Sequence, residues 1–284
     1  MKLYCNAKIN LSLDVKDNKK PDGYHTLDMI NLPIDLSDVL DVTIKDKGND
    51  IVLHSNNAKV PTDSGNVIYK IIEKFKKEFN KTFSIEIDIT KNIPTEAGLG
   101  GGSSDAAFIL NYLDEYFKTN MSLDQKIDFI MPITSDGPFF LTNKVARIKN
   151  KGEMVIPIDS SFDAKILLIK PFTGCSTKEI YGSLDYDNLD HPDTEKVING
   201  LKYNDLKALN ENCKNSLQKA AMLKNVEIND ILLKLKEIGF GVVSLSGSGS
   251  TCFAISKDEK LFKKAQKTLN PNNYELFKIV KINQ

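Results

Sequence analysis

Apolar and polar residues alternate over 7–15, placing Ile9, Leu11, Leu13 and Val15 on one face. A two-residue period predicts a half-buried strand. Residues 21–44 open on Pro-Asp-Gly, a turn signal, and continue as strands. "IVLHS" at 51–55 is another short strand, and "FSIEIDIT" at 83–90 alternates without a fault. Between them the period changes. Val67, Ile71, Phe75 and Phe79 recur every four residues with Ile68 and Ile72 beside them, which predicts an amphipathic helix over 66–79. A second helix is predicted over 103–117, with Ser103 or Ser104 as its N-cap. A short helix follows at 122–133, then "PFFL" at 138–141 and "VARI" at 145–148 as strands.

The pattern weakens over 150–163, which marks a domain boundary: residues 1–155 form an N-terminal domain and 156–284 a C-terminal one. "AKILLIKP" at 164–171 begins the second block as a buried strand. Helices are expected near 177–183, 192–200, 204–222 and 228–238, and 241–256 reads as strand, turn, strand. Strands and helices mix without a regular alternation, so the fold class is α+β.

Composition narrows the function classes. The chain has 284 residues, 38 basic and 38 acidic, for a formal net charge of zero. A nucleic-acid binder carries a basic excess or block. The lysines near 74–77 and the C-terminus lie on amphipathic patterns and read as solvated helix faces. Cys5, Cys175, Cys213 and Cys252 show no C-x-x-C pair and no accompanying histidine cluster, so free thiols in a reducing cytoplasm are expected rather than zinc or disulfides. No apolar run is long enough to span a bilayer, and the N-terminus lacks the apolar core of a signal peptide.

The stretch "PTEAGLGGGSSDAA" at 94–107 carries the chemistry. A predicted strand leads in, Gly98, Gly100, Gly101 and Gly102 follow, and a predicted helix leads out. Glycines permit positive φ and close approach to a ligand. A helix start offers unpaired N–H groups and a positive dipole end, which together suit a phosphate. The Walker pattern fails, because Gly102 stands where its lysine belongs. The pattern G-x-G-x-x-G begun at Gly98 also fails, ending on Ser103. On glycines alone, a turn that merely packs a helix against a sheet stays open.

"IPTEAGLGGGSSDAA" at 93–107 resembles the ATP loop of the GHMP kinase superfamily. Further similar segments follow the family order: "AKINLSL" at 7–13, "DGYHTLDMI" at 22–30, "SDGPFFL" at 135–141, "STKEIY" at 176–181 and "SGSGSTCFA" at 246–254. Within the superfamily they look most like the branch acting on a cytidine-diphosphate-linked methylerythritol in the non-mevalonate isoprenoid pathway. The resemblance implies a two-lobed α+β fold with its active site in the cleft between lobes, a cytoplasmic monomer or homodimer, ATP, and Mg²⁺ carried on the nucleotide rather than in a protein cage.

It also implies residue roles. Pro94, Thr95, Glu96, Ala97, Gly98, Leu99, Gly100, Gly101, Gly102, Ser103 and Ser104 hold ATP. Lys8, which as a strand residue reads as solvated, becomes the cation beside the γ-phosphate. Asp136, otherwise a turn aspartate, becomes the general base. Asn10, Tyr24, His25, Thr177 and Tyr181 meet the substrate, with Tyr181 stacked on cytosine and Ser176 close by. Asn66 and Lys91 lie near the adenosine, and 246–251 is a second glycine loop facing the first. The sequence departs from the family at Thr134, where glycine is usual, and at Gly137, where valine or isoleucine is usual. A kinase for another alcohol and a non-catalytic ligand-binding protein remain the competing readings.

Overall fold

The computed structural model describes residues 1–17 and 25–283. Its contacts divide the chain into two compact units. The first comprises Met1–Ala7, Leu36–Ile93 and Gly100–Asn143; the second comprises Lys8–Asp35, Pro94–Leu99 and Lys144–Gln284.

Two strands, β1 (Lys2–Val15) and β2 (Leu27–Lys45), pair with each other and contribute residues to both units. In the first unit, β3 (Ile51–Ser55) runs parallel to β4 (Ser84–Thr90), which pairs antiparallel with Val39–Lys45 of β2. Between β3 and β4 lies α1 (Val67–Glu78), started by Asn66, whose side chain accepts the Ile68 N–H at 2.8 Å. Its apolar stripe, Ile68, Ile71, Ile72 and Phe75, is buried, and α1 packs on α2 (Gly101–Phe117). Neither Ser103 nor Ser104 caps α2. The N-cap is Gly100, held at φ 72°, so the glycines themselves turn the chain into the helix.

Helix α3 (Leu123–Ile130) begins with a capping box between Ser122 and Gln125. The expected strand at 138–141 is instead a helix, α4 (Gly137–Thr142). Gly137, Pro138, Phe139 and Phe140 are all buried, so no alternation could tell strand from helix there. Pro138 in the first turn decides it, since its φ is preset for a helix start.

The second unit holds β5 (Ala146–Asn150), which pairs with Leu27–Asn31 of β2, and β6 (Met154–Pro157), which falls inside the stretch read as a boundary. Next come β7 (Lys165–Lys170), α5 (Thr177–Gly182), α6 (Thr194–Lys202), α7 (Leu206–Asn212), α8 (Gln218–Lys224) and α9 (Val226–Ile238). The chain closes with β8 (Val242–Leu245), β9 (Cys252–Ser256), α10 (Glu259–Thr268) and β10 (Leu276–Lys281). Four strands form an antiparallel sheet in the order β10-β7-β9-β8. The single helix expected over 204–222 is broken between α7 and α8. Asn215 there accepts the Leu217 N–H and donates to the carbonyls of Leu245 and Gly247, each at 2.8 Å, and such side-chain bonds compete with helix continuation.

Residues 8–15 of β1 are buried on both faces, not half-buried. Its polar positions are therefore inside: Asn10 donates to Asn31 Oδ1 at 2.8 Å, and Asp14 takes Lys16 and His191. A buried polar group needs such partners.

Candidate active site

The glycine stretch adopts the conformations that its composition permits. Glu96, Gly98 and Gly100 have φ of 51°, 71° and 72°. At Gly98 a Cβ would lie 2.0 Å from the Ser246 carbonyl oxygen, so no other residue fits. In the second unit, carbonyls of the stretch are tied inward: Glu96 and Ala97 accept from the N–H groups of Ser250 and Thr251, and Leu99 from the N–H of Lys8. Residues 246–251 thus do face 96–98.

Lys8 is 3% exposed and not a solvated strand lysine. Its Nζ donates to Asn10 Oδ1 at 2.5 Å and to the Gly98 carbonyl at 3.1 Å. The Gly98 carbonyl also accepts the Ser246 hydroxyl at 2.9 Å, and that hydroxyl accepts the Asn10 N–H at 3.1 Å. Asn10 Oδ1 lies 3.0 Å from where a Cβ on Gly247 would stand. Lys8, Asn10 and the two glycine loops form one hydrogen-bonded knot around a cation. Ser246 belongs to the 246–251 loop expected to face the first, but its hydroxyl was not singled out there.

The first unit holds Gly100–Ser104 and Asp136. The opening turn of α2 presents N–H groups without intrahelical acceptors. Ser103 Oγ is hydrogen-bonded with Thr134 Oγ1, whereas Ser104 Oγ is buried with no partner among the described residues. Asp136 precedes α4, and its side chain does not cap that helix. Next to it the chain is tightly packed: a Cβ on Gly137 would lie 3.0 Å from Thr134 Cγ2 and 2.7 Å from Ile130 Cδ1.

Of the expected substrate residues, Tyr24 lies outside the described ones. His25 stacks on Tyr181 with centroids 4.9 Å apart and planes at 22°, and on Tyr186 at 6.0 Å and 25°. A base between two rings needs twice the stacking distance, about 7 Å. A pyrimidine base therefore does not fit between His25 and Tyr181 as they stand. Tyr186 was not foreseen. Thr177 Oγ1 bonds with Ser248 Oγ at 2.8 Å, which links α5 to the second glycine loop. Asn66 caps α1, and Lys91 turns inward onto Asp38 and Asp105. Among the described residues no group of three or more His, Cys, Asp or Glu is arranged to hold a metal ion.

The class of protein is a small-molecule kinase of the GHMP type. Residues 66–142 match the GHMP kinases N terminal domain, and 198–276 match the GHMP kinases C terminal segment. A solved 4-(cytidine 5'-diphospho)-2C-methyl-D-erythritol kinase superposes with a TM-score of 0.81 at 24% identity, covering 100% of both chains. A 4-diphosphocytidyl-2-C-methyl-D-erythritol kinase of Clostridium tetani is 39% identical over 254 residues, 89% of this chain and 90% of the relative. One of Fusobacterium nucleatum is 39% identical over 259 residues, 89% and 87%. This chain belongs to the 4-diphosphocytidyl-2-C-methyl-D-erythritol kinase family.

Proposed function

We infer that this chain transfers the γ-phosphate of ATP to the 2-hydroxyl of 4-diphosphocytidyl-2-C-methyl-D-erythritol, giving the 2-phosphate and ADP in the non-mevalonate isoprenoid pathway. The observation that carries this reading is the 39% identity to named kinases across 89% of the chain. Phosphoryl transfer asks mainly for positioning, charge neutralisation and a base. Asp136 takes the proton of the substrate hydroxyl. Lys8 supplies positive charge to the transferring phosphoryl group, and the knot with Asn10 and Gly98 restricts where its ammonium sits. Residues 94–104 hold the triphosphate. Asn10, Tyr24, His25, Thr177 and Tyr181 hold the cytidyl substrate, the ring cluster suiting a pyrimidine face.

Mg²⁺ fits a site of few carboxylates because it keeps its waters and phosphate oxygens as ligands, so it travels with ATP. We place the enzyme in the cytoplasm, as a monomer or homodimer, with the domain boundary near residue 155, between the two matched segments.

Incubation with Mg-ATP and the cytidyl alcohol is expected to yield the 2-phosphate. ADP release with homoserine or mevalonate, and none with the cytidyl alcohol, overturns the substrate. Asp136→Asn is expected to lose about 10²–10⁴-fold in kcat, the usual weight of a general base, while still binding ATP. Normal turnover would remove Asp136 from that role.

A further inference from the structure

Three charged side chains are buried together in the first unit, and the reaction as described uses none of them. Asp38 lies on β2, Lys91 directly after β4, and Asp105 near the start of α2. Their side chains are 0%, 5% and 4% exposed. Lys91 Nζ donates to Asp38 Oδ2 and, at 2.8 Å, to Asp105 Oδ2. Asp38 Oδ1 accepts the N–H groups of Asn92 at 2.6 Å and Ile93 at 2.8 Å. Gly101, the first residue of α2, sits against the same group: a Cβ there would lie 3.2 Å from Asp38 Oδ2 and 3.0 Å from Ile93 Cγ2.

This cluster joins the two limbs of the glycine stretch. The incoming limb, 91–93, is bonded to Asp38 through two backbone N–H groups and one ammonium. The outgoing limb is bonded to the same ammonium through Asp105, four residues into α2. Stability alone is a poor reason for the arrangement. Buried ion pairs lose in desolvation much of what they gain, whereas removing one partner strands a charge. What such a cluster does well is specify geometry.

We propose that Asp38, Lys91 and Asp105 are positioning residues for nucleotide binding, a clamp that sets the separation between Ile93 and the first turn of α2. The inference rests on the reading of residues 94–104 as the ATP loop. Burial alone would lower the Lys91 pKa; the two carboxylates override it and hold it above its ordinary value, so the ammonium stays charged. Lys91 then reaches ATP through the backbone it holds, not by touching adenosine.

Equilibrium binding of Mg-ATP to the whole protein, with the KM of the cytidyl alcohol measured alongside, tests the clamp. Lys91→Met and Asp105→Asn are expected to weaken ATP by about tenfold or more while the alcohol KM stays within about twofold. Asp105→Asn keeps volume and a polar oxygen for Lys91, and it decides the matter if Lys91→Met fails to fold. A lower melting temperature with ATP affinity unchanged, or an equal loss for both ligands, overturns the clamp. Failure of the wild type to bind ATP overturns instead the reading of the loop.

Discussion

Burial pushes the Asp105 carboxyl up to about 7; Lys91 opposes the rise and Asp38 adds to it. An unfolded aspartate ionises near 3.8. Between those values the folded state holds a proton that the unfolded state has released. The contribution to stability is therefore largest below about 4 and falls as pH climbs to about 7. Asp105→Asn stays neutral throughout. The melting temperature of the variant relative to wild type is expected to rise between pH 4 and pH 8; a difference independent of pH would place the cost elsewhere. A second residue, Tyr181, has its aromatic face at stake. Base stacking is typically worth about 1–3 kcal/mol, so Tyr181→Ala is expected to raise the cytidyl-substrate KM by about tenfold and leave the ATP KM alone. Equal increases in both would remove Tyr181 from the base site.

At the scale of elements, Thr134 and Gly137 border one small space where the chain enters α4. The space next to Gly137 is taken by the Thr134 methyl and Ile130, while the Thr134 hydroxyl meets Ser103. Gly137→Val alone overfills that space and is expected to destabilise by about 1–3 kcal/mol. Adding Thr134→Gly removes the methyl, so the double variant is expected to lose less than the sum of the two singles in a denaturant titration. Strict additivity would mean that the two positions do not share the space. The sequence also shows which elements announce themselves. α1 and β4 were legible because each buries one face, and burial of one face writes a period. α4 was not legible, since all its leading residues are buried. Nor was the burial of Lys8, because strand alternation reports that a polar side chain points away from one core, not that a second layer covers it. The glycine loop was legible as a loop, while its bond to the Ser246 hydroxyl joins residues 148 apart, so the resemblance brought the two loops together and neither segment alone named the contact.

For the whole molecule the division into units poses a question that β1 and β2 answer. β1 gives Lys2–Ala7 to one unit and Lys8–Val15 to the other, and β2 gives Leu36–Lys45 and Leu27–Asp35. Unfolding either unit strips the ends of two strands that the other needs, so the two should melt together. The cysteines report on this. Cys5 lies in the first unit, and Cys175, Cys213 and Cys252 in the second. All four are free, and burial raises the pKa of each thiol, so a thiol reagent should react slowly with the native protein. In a denaturant series the four thiols are expected to become reactive at one midpoint, coincident with loss of helical signal. Release of Cys5 before the other three would show the first unit melting by itself, and the two shared strands would then not couple the units.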